Sequence, residues 1–320
     1  MALIYFGTGT AGDGDTLYDA FVKINGIIGV GAGTATYSLK VGNGLEANTT
    51  GTNDTATGYF ALFNNTTGVG NTANGVSASQ LNTIGNYNTA TGYGALVSSV
   101  SGSNNVANGA NALGSNTASN NTAIGTNALY NSVSVSNNTA VGYNALNGNT
   151  LYSNCSGLGA NTVITASNQV QLGDSSTTTY VYGTVQNRSD IRDKAEIRDT
   201  VLGLDFINEL RPVDYKWDMR DDYKSEMPSN EEDIPAWLES VNLSNLTHDG
   251  THTRSRFHHG LIAQEVQDVI EASGVDFGGF QDHNVSGGQD VLSIGYDELI
   301  APMIKAIQEL TARINVLEGL

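Results

Sequence analysis

A chain of 320 residues with 32 acidic residues against 14 Lys and Arg, a formal charge of −18, repels phosphate and anionic lipid, which excludes nucleic-acid or membrane binding driven by counterion release. Its one cysteine, Cys155, excludes an intrachain disulfide framework and a cysteine metal cluster. No stretch approaches the roughly 20 apolar residues of a membrane span, and the first residues lack the pattern of a signal peptide, so synthesis in the cytoplasm without membrane insertion is expected. The charge is unevenly placed. From Thr55 to Gly173 there is no Asp, Glu, Lys or Arg, whereas residues 190–320 hold 26 acids, 11 Lys or Arg, all four prolines and all five histidines.

In chain order, the N-terminal stretch FGTGTAGDGDTLYDAFVKING opens with glycines and then places Leu17, Ala20, Phe21 and Ile24 at helical spacing, with Asp15 as the N-cap. It is a poor phosphate loop, because no Gly-Lys-Ser/Thr follows. An internal period then begins. TATGYFAL (55–62), TANGVSAS (72–79), TATGYGAL (89–96), VANGANAL (106–113), TAIGTNAL (122–129) and TAVGYNAL (139–146) share a glycine at 58, 75, 92, 109, 125 and 142, with a decayed copy around Gly159. Asn, Gly, Thr and Ser favour turns over helix, so the unit is expected to hold two short strands joined by turns. One unit buries too little to fold alone. Stacked units would share a narrow Ala and Leu core with Asn side chains laddered along it, and Cys155 is expected to be a small buried member.

The missing charges restrict chemistry in the repeats. Glycoside hydrolysis ordinarily needs two carboxyl groups, and metal sites need His, carboxylate or several Cys ligands; the repeats offer neither, so no metal and no cofactor is expected. A shaft or a binding surface remains. Tyr59, Tyr93 and Tyr143 could stack on sugars, although packing is the commoner role for such residues. These repeats resemble the β-rolls of trimeric bacterial adhesin heads and repeats of phage tail fibres. GDGDTLYDAFVKIN is similar to short segments near the N-termini of phage tail proteins, which implies attachment to other tail or baseplate proteins.

After Arg188 the text changes to SDIRDKAEIRDTVLGLDFINELRPVDYKW. Val201, Leu204, Ile207 and Leu210 predict an amphipathic helix ending before Pro212, VDYKW reads as a strand, and HHGLIAQEVQDVI (258–270) reads as a strand leading into a helix. The acidic tract from Asp218 to Glu239 reads as an inserted loop. In the closing segment Ile300, Met303, Ile307, Leu310, Ile314 and Leu317 alternate spacings of three and four, a heptad seam in which Pro302 falls in the first turn. The seam predicts association without fixing the number of strands.

The ordered set SD, a lysine soon after, L..L.PV.Y.W, G.IAQEV and Y..L.AP...AI.EL closely resembles the intramolecular chaperone of phage endosialidases, tailspikes and tail fibres, a self-cleaving serine peptidase family. The resemblance implies three chains held in register by the C-terminal domain while the fibre folds. It then implies a single-turnover cut between Ser189 and Asp190, with Ser189 as nucleophile and Lys194 as its partner, and no enzyme activity in the mature fibre. A serine hydroxyl needs a nearby base, and a lysine serves only when burial or neighbouring cations favour its neutral form. Arg188 and Arg192 push that way, Asp190 and Asp193 the other. Attack by Ser189 on its own carbonyl would close a four-membered ring, which leaves a serine from another chain, an activated water or strain as routes. His258 and His259 could assist, though structural roles are the simpler reading. The plain alternative for SDIRDK is a helix start capped by Ser189 or Asp190.

The expected fold is a mainly β fibrous homotrimer of stacked 17-residue repeats followed by an α+β chaperone domain ending in a coiled-coil helix. Its regions are 1–49 for attachment, 50–165 as shaft or binding region, 166–189 as connecting strands, and 190–320 as chaperone. The expected function is a phage tail fibre or receptor-binding precursor in the virion tail, with a host-surface glycan or protein as receptor. The rivals are a bacterial trimeric adhesin, for which a secretion signal and membrane anchor are missing from this sequence, and a tailspike depolymerase, for which carboxylates are too few.

Overall fold

The computed structural model describes residues 28–29, 38–41, 45, 47, 49–177, 179–182, 185, 189–225, 233–286 and 288–319. The helix expected around Asp15 to Ile24 lies outside them. The chain forms two compact units, Met1–Thr179 and Tyr180–Leu320.

The first unit is a β-solenoid. Its sheet runs in chain order through β1 (Ile28–Gly29), β2 (Leu39–Val41), β3 (Thr55–Thr57), β4 (Thr72–Asn74), β5 (Thr89–Thr91), β6 (Val106–Asn108), β7 (Thr122–Ile124), β8 (Thr139–Val141), β9 (Ser156–Leu158) and β10 (Val170–Leu172). β1 pairs antiparallel with β2, and every later pair is parallel and in register, so that Ala56, Ala73, Ala90, Ala107, Ala123 and Ala140 form one column. These alanines, Ala61 and its counterparts, and the leucines at 45, 62, 96, 113, 129 and 146 make the continuous narrow core, with Cys155 buried at its end. In each coil the middle residue of the three-residue strand points inward and its two neighbours point outward, the period-two alternation of a strand with one buried face.

Buried asparagines join the coils. Asn88, Asn105, Asn121 and Asn138 each donate a backbone N–H to the side-chain oxygen of the Asn one coil earlier, at 2.9–3.0 Å, and Cys155 N closes the series on Asn138 Oδ1 at 2.9 Å. The amide nitrogens of Asn71, Asn88, Asn105, Asn121 and Asn138 donate onward to loop carbonyls at 2.7–3.1 Å. These asparagines therefore satisfy polar groups that the narrow interior hides from water, whereas the buried oxygens Asn82 Oδ1 and Asn116 Oδ1 find no partner. Asp54 takes the first rung, where its carboxylate accepts from Asn71 N at 2.8 Å and from Asn65 Nδ2 at 2.9 Å. It is fully buried, and that burial pushes its carboxyl up to about 6.

Each repeat holds one strand where two were expected. The residues after the strand take left-handed backbone conformations at regular places, as in Asn111, Leu113 and Asn120 with φ of +56°, +51° and +62°, so the second half of the coil is a chain of turns. Asn tolerates that region better than most side chains. The repeat glycine has a firmer reason. At Gly109 φ is +146°, and a Cβ there would lie 2.4 Å from the carbonyl oxygen of Gly125 in the next coil.

The second unit is α+β. β11 (Val213–Tyr215) pairs antiparallel with β12 (His258–Gly260), and β13 (Phe280–Asp282) with β14 (Leu292–Ile294). The helices are α1 (Leu204–Glu209), α2 (Ile234–Ser240), α3 (Ala263–Ser273) and α4 (Ile300–Glu318). A small core of Phe206, Val266, Phe277 and Leu299 collects side chains from α1, α3, the segment between α3 and β13, and the turn before α4, and Ile207 and Leu210 pack at its edge. The predicted helix start moves. Val201 is exposed and lies outside α1, because the cap comes from far along the chain: Glu309 Oε2 on α4 accepts the backbone N–H of Leu204 at 2.8 Å. A Cβ on Gly203 would collide with that carboxylate. The strand predicted over VDYKW is likewise shorter, with Trp217 beyond its end and its ring 4.9 Å from Tyr215.

Candidate functional site

Ser189 and Lys194 meet. Asp190 is the N-cap of a 3-10 turn, Ile191–Asp193, and accepts the backbone N–H of Arg192 at 2.9 Å. The turn reverses the chain, so that Lys194 Nζ donates to Ser189 Oγ at 2.7 Å. The helix-start reading of SDIRDK and the pairing of serine with lysine are thus one geometry, because the capped turn creates the approach.

The neighbouring charges largely answer each other. The Arg192 guanidinium donates from Nε to both Asp190 carboxylate oxygens at 3.1 Å and holds that carboxyl below its usual range. Of the four charges expected to compete over Lys194, Arg192 and Asp190 therefore form a closed pair, and Arg188 lies outside the described residues. Ser189 and Lys194 are both exposed in the single chain. As an ammonium Lys194 gives a hydrogen bond to the hydroxyl; to accept its proton the amine must be neutral, a form that burial favours.

The histidines do not join this pair. His259 Nδ1 lies 2.5 Å from Asp214 Oδ1 across the β11–β12 pair, and the ring of His258 stacks on Tyr215 at 5.9 Å. Asp214, which no local pattern singles out, becomes legible only once the register of these strands is known. The acidic tract is partly built into the unit: Asp218 accepts from Tyr223 Oη at 2.8 Å and from Gly250 N at 3.0 Å, and Arg220 donates to Leu243 O at 2.6 Å.

The seam residues lie along α4 on one exposed stripe. Ile300, Met303, Ile307, Leu310, Ile314 and Leu317 are 44–86 % exposed, whereas Pro302 and Ala306 on another face are buried. An apolar stripe of this length left to water on a helix that already packs its other face is the pattern of a helix awaiting a partner.

Residues 189–275 match the family described as chaperone of endosialidase. The match begins at Ser189 and takes in the capped turn, Lys194, α1, β11, β12 and α3. No curated protein and no solved structure matches the chain. A β-solenoid of about 17-residue coils followed by a chaperone of endosialidase segment fits a tail fibre or tailspike with a C-terminal chaperone domain. Among the described residues no helix is long and apolar enough to cross a membrane.

Proposed function

We propose that the chain is the precursor of a phage tail fibre that binds a host-surface receptor, that its C-terminal unit directs its assembly as a homotrimer, and that this unit then cuts itself away between Ser189 and Asp190 to leave the fibre in the virion tail. The observation that carries the reading is the 2.7 Å approach of Lys194 Nζ to Ser189 Oγ at the first residue of the family match. In the single chain Lys194 is exposed. Association of copies through the α4 seam would exclude water around it and favour the neutral amine, so cutting would follow assembly.

The reaction breaks the C–N bond between Ser189 and Asp190. The amine of Asp190 leaves with a proton relayed by Lys194, and water supplies the oxygen of the new carboxylate. Since Ser189 attacking its own carbonyl closes a four-membered ring, the attacking oxygen comes from Ser189 of another copy or from a water held by Lys194. A clamp at one end also has a physical use. Polar, Gly-rich repeats specify register weakly between copies, and removal of the clamp afterwards leaves the fibre trapped by a slow unfolding rate.

Intact-mass analysis tests this. The wild type is expected to appear as fragments 1–189 and 190–320, with Ser189→Ala and Lys194→Met remaining whole; an uncut wild type refutes self-processing. Mixed assemblies of wild-type and tagged Ser189→Ala chains distinguish the two oxygens: a tagged chain cut only in the mixture takes the hydroxyl of another copy, whereas one that is also cut when Ser189→Ala is alone is attacked by water.

A further inference from the structure

The two outward columns of the solenoid sheet are not uniform along its length. The register aligns Thr57, Asn74, Thr91, Asn108, Ile124, Val141, Leu158 and Leu172 one above the other. Val41 heads this column on β2; the four rungs after it are Thr and Asn, and the last four are aliphatic. Packing against their own neighbours leaves Ile124, Leu158 and Leu172 still 42–46 % exposed, with Val170 beside them at 68 %. Strands about 4.8 Å apart make this an aliphatic ribbon spanning about 14 Å.

We propose that the ribbon of Ile124, Val141, Leu158 and Leu172 is the surface by which one solenoid docks on another copy of this chain, and that the Thr and Asn rungs before it stay hydrated. This rests on the association proposed above. Three observations select a second copy as the occupant. The face carries no charge, since no Asp, Glu, Lys or Arg occurs from Thr55 to Gly173; identical faces therefore meet without like-charge repulsion, and nothing on the face selects a charged partner. Copies aligned in parallel bring each rung beside the same rung, so aliphatic meets aliphatic from 124 to 172 and polar meets polar from 57 to 108. The ribbon also occupies the last rungs of the stack, which in chain order lead into the unit whose α4 carries the exposed seam. Contact between solenoids would then start at that end and fade toward the N-terminal coils.

The test places single cysteines in the full chain with Cys155→Ser. Under mild oxidation, Val141→Cys and Leu158→Cys are expected to give disulfide-linked dimers of the chain on non-reducing gels, and Thr57→Cys and Thr91→Cys to link at least about tenfold more slowly. Native mass is measured on the same samples. Associated chains that link equally at rungs 57 and 158, or fail to link at 158, overturn the ribbon and leave the clamp standing. Chains that link at 158 but remain uncut uphold the ribbon and remove self-cleavage. Monomers throughout overturn the ribbon and the clamp together. A further variant, Ile124→Asn, Val141→Asn, Leu158→Asn, installs the residue this column already carries at 74 and 108; it is expected to speed dissociation of the copies, and an unchanged rate overturns the ribbon.

Discussion

The solenoid and the C-terminal unit solve the problem of burying a chain in opposite ways. The solenoid has almost no large side chains inside. Its core is Ala and Leu one residue wide, and its stability lies in hydrogen bonds that each coil completes on the next, down to the buried Asn rungs. The C-terminal unit has a conventional but small core of Phe206, Val266, Phe277 and Leu299, and leaves the seam of α4 in water. One part is nearly self-sufficient within the chain and carries no charge from Thr55 to Gly173 to direct assembly. The other is charged, leaves the apolar stripe of α4 exposed, and bears the Ser189–Lys194 contact. A temporary organiser and a lasting shaft would be expected to differ in this way.

The largest predicted effect tests the exposed stripe. Ile307→Asp puts a carboxylate into the seam of every associating copy, and an unpaired buried charge costs roughly 3–5 kcal/mol. Association measured by sedimentation should be lost, and self-cleavage with it, while the isolated fold of the unit persists because Ile307 is exposed there. A variant that still associates and cuts would show that α4 is not the clamp.

The next tests the solenoid's dependence on backbone shape. Gly109→Ala combines a forbidden φ with a collision against the Gly125 carbonyl, and overpacking with strain should cost roughly 3 kcal/mol. At Gly148 an added Cβ meets nothing within 4 Å, so Gly148→Ala should be near neutral. Denaturant unfolding of both variants checks the contrast.

Much of this was legible beforehand. The 17-residue phase, the Ala and Leu core, the Asn ladder, the pairing of Ser189 with Lys194 and the heptad stripe all follow from spacing or from the family resemblance. What escaped depends on φ signs or on distant contacts. The second expected strand is absent because Asn111 and Leu113 turn left-handed, a feature that spacing does not carry. The start of α1 is set by Glu309, more than a hundred residues away. Asp54 is legible by spacing, for it stands 17 residues before Asn71 in the column of laddered asparagines.

Asp54 gives the third prediction. Its folded carboxyl titrates near 6 against an ordinary 3.8, so between those values the folded state holds a proton that the unfolded chain has released. Stability contributed at this site is therefore highest below about pH 4, falls as pH rises through about 6, and is lower by about 2–3 kcal/mol at neutrality. Asp54→Asn, the residue found on the following rungs, should flatten that part of the profile. Thermal unfolding of both proteins from pH 4 to 8 should show the difference between them growing up to about pH 6 and level above it; parallel profiles would mean that the rung does not bury its charge.

The smallest effect probes the contact that joins α1 to α4. Glu309 caps α1 with a carboxylate placed at a helix N-terminus, where backbone donors and the helix dipole both favour it. Glu309→Gln keeps an acceptor but removes the charge, and Glu309→Ala removes both, so losses of about 0.5 and about 1 kcal/mol are expected for the C-terminal unit. The solenoid's own transition should not move. If it does, the two parts unfold as one, and the contrast drawn between a self-sufficient shaft and a dependent organiser fails at the level of stability.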